Sequence, residues 1–261
     1  MCNKSITDNK NSNFMKAIII IPARMGSSRF PNKPLADING KPMIIHVADR
    51  AKEANIGEIY IACAEKEIAD IVQKYDYNAI LTNPDHPSGT DRIYEAIQKI
   101  PNNDYEIIVN VQGDLPTIEP HLISDSLYAL DNSKADISTL VCKITDDDEI
   151  KNPNIVKALV DWSSDKNRSK NEKMTGDAYD FSRDAKTAND GNYYHHIGLY
   201  AYRKDALTKF INLEPSEREI SNKLEQLRAL DNGMKIEAIK VETIPIGVDT
   251  PEDLEKAKKL L

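Results

Sequence analysis

The strongest constraint on the fold is a repeated alternation along the first half of the chain. From residue 17 to residue 111, short β-branched runs alternate with segments whose apolar residues recur at helical spacing, at intervals of about 20–25 residues. Ala17–Ile21, bounded by Pro22, predicts a strand buried on both faces. Pro42–Ala54 predicts a helix with Ile44, Val47, Ala48 and Ala51 on one side. Glu58–Ala64, Ala79–Thr82 and Glu106–Val111 continue as strands, separated by helices over Lys66–Tyr75 and Thr90–Ile100. Strands and helices in this order build a doubly wound α/β sheet.

After Pro120 the pattern loosens. Ile137–Val141, Val156–Val160, Tyr193–Tyr202 and Ile236–Val241 predict strands, and Ser221–Asn232 a helix closed by Gly233. Thr250-Pro251-Glu252-Asp253 is an N-cap with proline in the first turn. Residues 163–177 hold one apolar side chain, Met174, and are expected to form a flexible surface loop. Residues 1–14 lack the apolar core of a signal peptide and are expected to be a disordered extension, with Met15 an alternative start. Residues 15–261 are expected to form a single domain.

Several function classes drop out. Acidic residues outnumber basic ones 42 to 34, for a net charge of −8, so broad clamping of nucleic acid is not expected. The strongly apolar run Ala17–Ile21 falls far short of the ~20 residues that cross a bilayer, so no membrane span is expected. Cys2, Cys63 and Cys142 are odd in number and far apart, which supports neither a disulfide framework nor a zinc ribbon and suits a reducing cytoplasm.

Three short stretches carry chemistry. Pro22–Pro34 leaves the carboxyl end of the first strand, where open α/β sheets bind ligands. It sets Arg24, Arg29 and Lys33 around Gly26, Ser27 and Ser28, whose backbone N–H groups can face an anion. The Walker pattern is absent. Asp114, just past the Glu106–Val111 strand, is either a Mg²⁺ ligand or the cap of the next turn. Asp249, before the last helix, has the same two readings, capping being the plainer one in isolation.

IIPARMGSSRFPNKPL, INGKPMI, HPSGTDRI, VNVQGD, HHIGLYAYR, LEQLR and GVDTPEDL occur in one order over residues 15–261, with a break near 163–190. In this the chain resembles the 3-deoxy-manno-octulosonate (KDO) cytidylyltransferases. The resemblance implies a Rossmann-like nucleotide-diphospho-sugar transferase fold with a smaller antiparallel portion for sugar binding and dimerisation. It implies transfer of CMP from CTP to KDO for lipopolysaccharide assembly, a Mg²⁺ cofactor, a homodimer and a cytoplasmic enzyme. Another 2-keto sugar acid, an 8-amino-KDO or a sialic acid, is the alternative acceptor, and a catalytically dead nucleotide sensor the non-enzyme alternative.

Carried over residue by residue, the resemblance makes Arg24, Lys33, Asp114 and Asp249 the catalytic set. Asp114 and Asp249 would ligate Mg²⁺. Ala23, Arg24, Ser27, Ser28 and Lys33 would hold the CTP phosphates, and Ser88, Gly89 and Thr90 the cytosine. Arg29, Arg183, His196, Tyr200, Glu225 and Gln226 would surround the sugar, with Arg183 gripping its carboxylate from two sides and His196 donating to a hydroxyl; a hydrogen-bonded strand histidine is the plainer reading of His196. Three positions depart from the family pattern. Leu115 replaces a Glu, which removes a polar contact; His195 stands where Arg is common; and Asp184, after Arg183, sets a negative charge beside that guanidinium. Leu224, Leu227 and Ala229–Leu230 form an apolar stripe that the monomer core alone could bury, while the resemblance sets this region against the partner of a homodimer.

Overall fold

The computed structural model describes residues 15–26, 29–101, 104–164 and 173–261. The expected disordered extension (1–14), Ser27 and Ser28, and the middle of the expected loop at 163–177 lie outside the described residues. The chain begins with β1 (Ala17–Ala23), a short hairpin of β2 (Asp37–Ile38) and β3 (Lys41–Pro42), α1 (Met43–Ala54), β4 (Gly57–Cys63), α2 (Lys66–Lys74) and β5 (Asn78–Leu81). It continues through α3 (Gly89–Lys99), β6 (Ile107–Asn110), α4 (Pro120–Asp131), β7 (Ile137–Lys143), α5 (Asp147–Lys151), β8 (Lys157–Asp161) and β9 (Thr175–Ser182). The rest is β10 (Tyr194–Arg203), α6 (Lys204–Ile211), α7 (Glu217–Asn222), α8 (Gln226–Asp231), β11 (Ile236–Val241) and α9 (Pro251–Lys258).

Among the described residues these strands form one mixed sheet in the order β5-β4-β1-β6-β10-β7-β11-β9-β8. The first four are parallel, as the β/α alternation predicts. Successive side chains of β1 enter opposite faces. Ile19 and Ile21 pack with Ile44, Val47, Ala48 and Leu122 on one side, and Ile18 and Ile20 with Ile93, Ala96, Ile97 and Phe210 on the other. Helices on both faces explain why this strand is a continuous apolar run. β10 runs antiparallel between β6 and β7, and β8 and β9 are antiparallel to each other and to their neighbours. Because β8 pairs with both β9 and β10, through Lys157 opposite His195, this end of the sheet curls back on itself. It is the smaller antiparallel portion.

From β1 the chain moves outward through β4 to β5, then returns to place β6 on the other side of β1. The carboxyl ends of β1 and β6 are therefore adjacent at a switch point, the usual place for a crevice. The turn after β6 presses directly against β1. A Cβ at Gly113 would lie 2.6 Å from the Pro22 carbonyl oxygen and 3.2 Å from Ile44 Cδ1. Replacing Gly113 by Ala is expected to cost about 1–3 kcal/mol, as overpacking does. Urea unfolding would show it as a lowered midpoint, and an unchanged midpoint contradicts this packing.

The structure corrects three expectations. Residues 221–232 are not one helix: Lys223 adopts the left-handed conformation at φ 54° and separates α7 from α8. The apolar stripe is buried within the monomer, with Leu224, Leu227 and Ala229 at 4%, 1% and 0% exposure. The loop expected to end at residue 177 already enters β9 at Thr175, whose Gly176, Ala178 and Phe181 are buried while Asp177 and Tyr179 are exposed. Pairing on both sides, with β8 and β11, stabilises that charged strand.

Candidate active site

Lys33 holds the centre of the cavity at the switch point. Its Nζ donates to Asp114 Oδ2 at 2.9 Å and to Asp249 Oδ1 at 3.2 Å, and Arg29 Nη2 reaches Asp249 Oδ2 at 2.9 Å. Two aspartates far apart in sequence thus converge on one ammonium group. The backbone makes this so. Val248 N donates to the Asp114 carbonyl at 2.9 Å, and Val248 is anchored with Ile38, Met43, Leu254 and Ala257 in a small core under the β2–β3 hairpin. Thr250 caps α9 through Asp253 N, so Asp249 precedes a fixed helix start. The capping role expected of Asp249 falls to Thr250 and Asp253 instead.

The cavity encloses about 470 Å³ and is lined by Ala23, Arg24, Gly26, Ser88 and Gly89 as well as these charged residues. Arg29, expected beside the sugar, lines the same cavity as Arg24, Lys33, Asp114 and Asp249, the residues expected at the phosphates and the metal. Ser88 caps α3, accepting from Thr90 N and Asp91 N at 3.1 Å each. Among the described residues no cluster of three metal-ligating side chains occurs. Asp114 and Asp249 nevertheless fit Mg²⁺, which takes one or two carboxylates and completes its shell with phosphate oxygens and water. Their convergence on Lys33 shows that both can serve one cation.

The residues expected at the cytosine and at the sugar touch each other. Glu225 accepts from Ser88 Oγ and Thr90 Oγ1, both at 2.9 Å. Burial pushes the Glu225 carboxyl above its usual range, against the lowering effect of those hydroxyls and of Arg228. Arg228 in turn holds Glu219 through Nε and Nη2 at 2.8 and 2.6 Å, which ties α8 to α7. Gln226 is buried and its Nε2 has no partner among the described residues. Such an orphaned amide marks a place for a ligand oxygen.

His196 and Tyr200 lie on β10 with ring centroids 5.5 Å apart, and Phe181 meets His196 edge-on at 4.9 Å. Thr139 on β7, not singled out from sequence, decides what His196 can do. Its Oγ1 lies 3.1 Å from the Ile197 carbonyl, 3.0 Å from the Leu199 carbonyl and 3.0 Å from His196 Nε2. Thr139 has one hydroxyl proton for these three neighbours, so it donates either to one carbonyl, with Nε2–H donating to Oγ1, or to Nε2 itself, according to the histidine tautomer. Thr139 takes up Nε2, so Nδ1 is the ring nitrogen left for a ligand. Burial, with a smaller effect of His195, pushes its pKa down to about 3.

An unfolded histidine binds its proton near pH 6.5. His196 thus lowers stability as pH falls from about 6.5 toward 3, and leaves it unchanged above 6.5. The slope from one such group is about 1.4 kcal/mol per pH unit. Replacing His196 by Gln should flatten that limb of a urea-midpoint profile; an unchanged slope would place the acid sensitivity elsewhere.

Arg183 is held by main-chain carbonyls. Its Nε donates to the Asn222 carbonyl at 3.0 Å, Nη1 to Pro153 at 3.2 Å and Nη2 to Lys223 at 3.4 Å. These three bonds leave one N–H on each Nη of Arg183 for a further acceptor. The break after α7 leaves helix-end carbonyls without partners, and Arg183 satisfies them. Lys157, fully buried, donates to the Arg183, Asn152 and Ile155 carbonyls. Asp184 lies where its charge favours the Lys157 ammonium, while burial opposes it. At the other departures, Leu115 is a buried core residue, and His195 has a buried Nδ1 without a partner among the described residues.

Comparison with known proteins agrees with this geometry. Residues 18–236 match the cytidylyltransferase family. The chain is 49% identical over 245 residues to the 3-deoxy-manno-octulosonate cytidylyltransferase of Paramagnetospirillum magneticum, covering 94% of this chain and 97% of that one. It is 50% identical over 248 residues to that of Bartonella henselae, covering 95% and 99%. A solved CMP:2-keto-3-deoxy-manno-octonic acid synthetase complexed with CTP superposes with a TM-score of 0.82 at 38% identity, over 94% of this chain and 98% of that one. The 4-diphosphocytidyl-2C-methyl-D-erythritol synthase of Anaerococcus prevotii shares the fold, with a TM-score of 0.62 at 17% identity over 95% and 98% of the two chains.

Proposed function

This chain belongs to the cytidylyltransferase family, and from that premise we propose that it transfers the cytidylyl group of CTP to KDO, releasing pyrophosphate and supplying CMP-KDO for lipopolysaccharide assembly. The observation that carries the reading is the convergence of Asp114 and Asp249 on Lys33 in a cavity shared with Arg24, Ser88 and Gly89.

In this reading the anomeric hydroxyl of KDO attacks the α-phosphorus of CTP. A new P–O bond forms, the bond to the bridging oxygen breaks, and the hydroxyl proton leaves to solvent. Both reactants are anionic, so their approach is opposed until positive charge surrounds the triphosphate. Arg24, Arg29 and Lys33 supply it, Lys33 turning from the carboxylates to the phosphates. Mg²⁺, held by Asp114 and Asp249, would neutralise the triphosphate further and lower the pKa of the attacking hydroxyl. The N-terminus of α3, fixed by Ser88, meets the base through main-chain groups. On the sugar side, Gln226 offers an unpaired amide donor and His196 its Nδ1.

The homodimer is part of this reading, and with the apolar stripe buried it must use other residues. Ile220, 65% exposed on α7, is one that a partner could cover. A cytoplasmic site of action is supported by the free thiols of Cys63 and Cys142. Among the described residues no helix is long and apolar enough to cross a membrane. Pyrophosphate release with CTP and a panel of keto-sugar acids tests the function. KDO should exceed 8-amino-KDO and sialic acid, and turnover of a sialic acid in preference to KDO overturns the assignment of the acceptor.

A further inference from the structure

Arg92 carries a charge that the described protein leaves without a partner. It lies on α3 at 2% exposure, one of the largest fully buried side chains in the molecule. Nη1 donates to Thr82 Oγ1 at 2.6 Å and to the Asn83 carbonyl at 3.0 Å, and Nη2 to the Pro84 carbonyl at 3.3 Å. All three acceptors are neutral. Among the described residues no carboxylate forms an ion pair with it; Glu65 and Glu95 favour its charge only at longer range, and Arg24 opposes it. A guanidinium does not lose its proton at neutral pH, so it must stay charged where it is.

Its position is informative. Arg92 lines the same cavity as Arg24, Lys33, Asp114 and Asp249. Lys33 is already paired with two carboxylates and Arg29 with one. Arg92 has no such compensation, and an uncompensated buried ion is costly in low dielectric. The same low dielectric makes its attraction to an incoming anion strong.

We propose that Arg92 is the buried counter-charge for the phosphate chain of the nucleotide, seated beneath the cavity by Thr82, Asn83 and Pro84. The inference rests on the reading of the cavity as the CTP site. Arg92 acts as a positioning residue: its charge biases the cavity toward polyanions, and its bonds hold residues 82–84 leading into the α3 N-terminus. The site is electrostatically incomplete until a polyanion enters. Charge-dependent affinity therefore belongs to the phosphates and not to the base.

The test compares CTP with cytidine, which has the base and ribose without charge. Affinities for both are measured by titration calorimetry on wild type, Arg92→Gln and Arg92→Lys. Arg92→Gln should weaken CTP by about tenfold or more while leaving cytidine within about twofold, and Arg92→Lys should restore most of the CTP affinity. Equal weakening of both ligands, unchanged CTP affinity, or no rescue by lysine each overturns the proposal. If Arg92→Gln does not fold, Thr82→Val loosens the seat and keeps the charge. It should preserve the wild-type ratio of CTP to cytidine affinity, and a tenfold fall in that ratio makes the seat the cause and overturns the charge assignment. Failure of wild type to bind CTP overturns the reading of the cavity and this inference with it. Wild-type CTP binding with an unchanged ratio in Arg92→Gln overturns the inference alone.

Discussion

Replacing Asp249 or Asp114 by Asn is expected to lower kcat/KM for cytidylyl transfer by about 10³-fold or more, equivalent to about 4 kcal/mol of lost transition-state stabilisation. Each substitution keeps the shape of the side chain and removes one of two charges that converge on Lys33 at 2.9 and 3.2 Å. The fold should survive. The two carboxylates are 34% and 46% exposed, and an ion pair so placed contributes little to stability, about 1 kcal/mol at most. Steady-state kinetics at saturating Mg²⁺, alongside thermal unfolding, separates the outcomes. A folded variant with wild-type turnover removes that residue from the site, and a variant that unfolds shows the aspartate to be structural.

The second large effect concerns the nucleotide. CTP should be used in preference to ATP and GTP by about 10³-fold in kcat/KM if, as proposed, the base lies against residues 88–90, where the capped start of α3 bounds the space. Gly89 lies against Pro22, where a Cβ would sit in ordinary contact 3.4 Å from Pro22 Cγ. Ser88 is held both by its cap and by Glu225. UTP should be the nearest competitor: it matches cytosine in size and differs in its donor and acceptor pattern, so it is rejected only through groups left unpaired. A panel of nucleoside triphosphates with KDO as acceptor measures this. Equal or better use of a purine would mean that the base does not lie against residues 88–90.

Much of this architecture was legible in local sequence. β1, α1, β4, α2, α3 and β6 follow from the period of apolar residues and lie within two residues of their predicted ends. Pro120–Asp131 was missed because the run after its opening proline mixes Ser and Asp among its apolar residues, although seven of its residues are buried. β9 was missed because alternating charge in a short segment resembles a solvated loop until its two neighbouring strands are present. Thr139 is buried in the strand ISTLVCK beside Ser138, and two hydroxyls in an otherwise apolar strand are the signal there that hydrogen bonds lie inside the sheet.

The sequence alone determined the β/α frame, the basic loop leaving β1, the carboxylates ending β6 and preceding α9, and the cap that starts α9. These depend on residues within a few positions of one another, whose side-chain directions follow from backbone period. Tertiary structure decided that Asp114 and Asp249 meet, through the bonds from Val248 to the Asp114 carbonyl and from Ile246 to Thr117 and through the packing of Val248. It also decided that Arg183 closes the end of α7, that Thr139 takes up His196 Nε2, and that Arg92 lies buried under the cavity. In each case the partner is a backbone carbonyl, a hydroxyl or a cavity brought in from another strand or helix. No spacing along the chain encodes which unsatisfied group will arrive there, because that is fixed only when the sheet has closed around it.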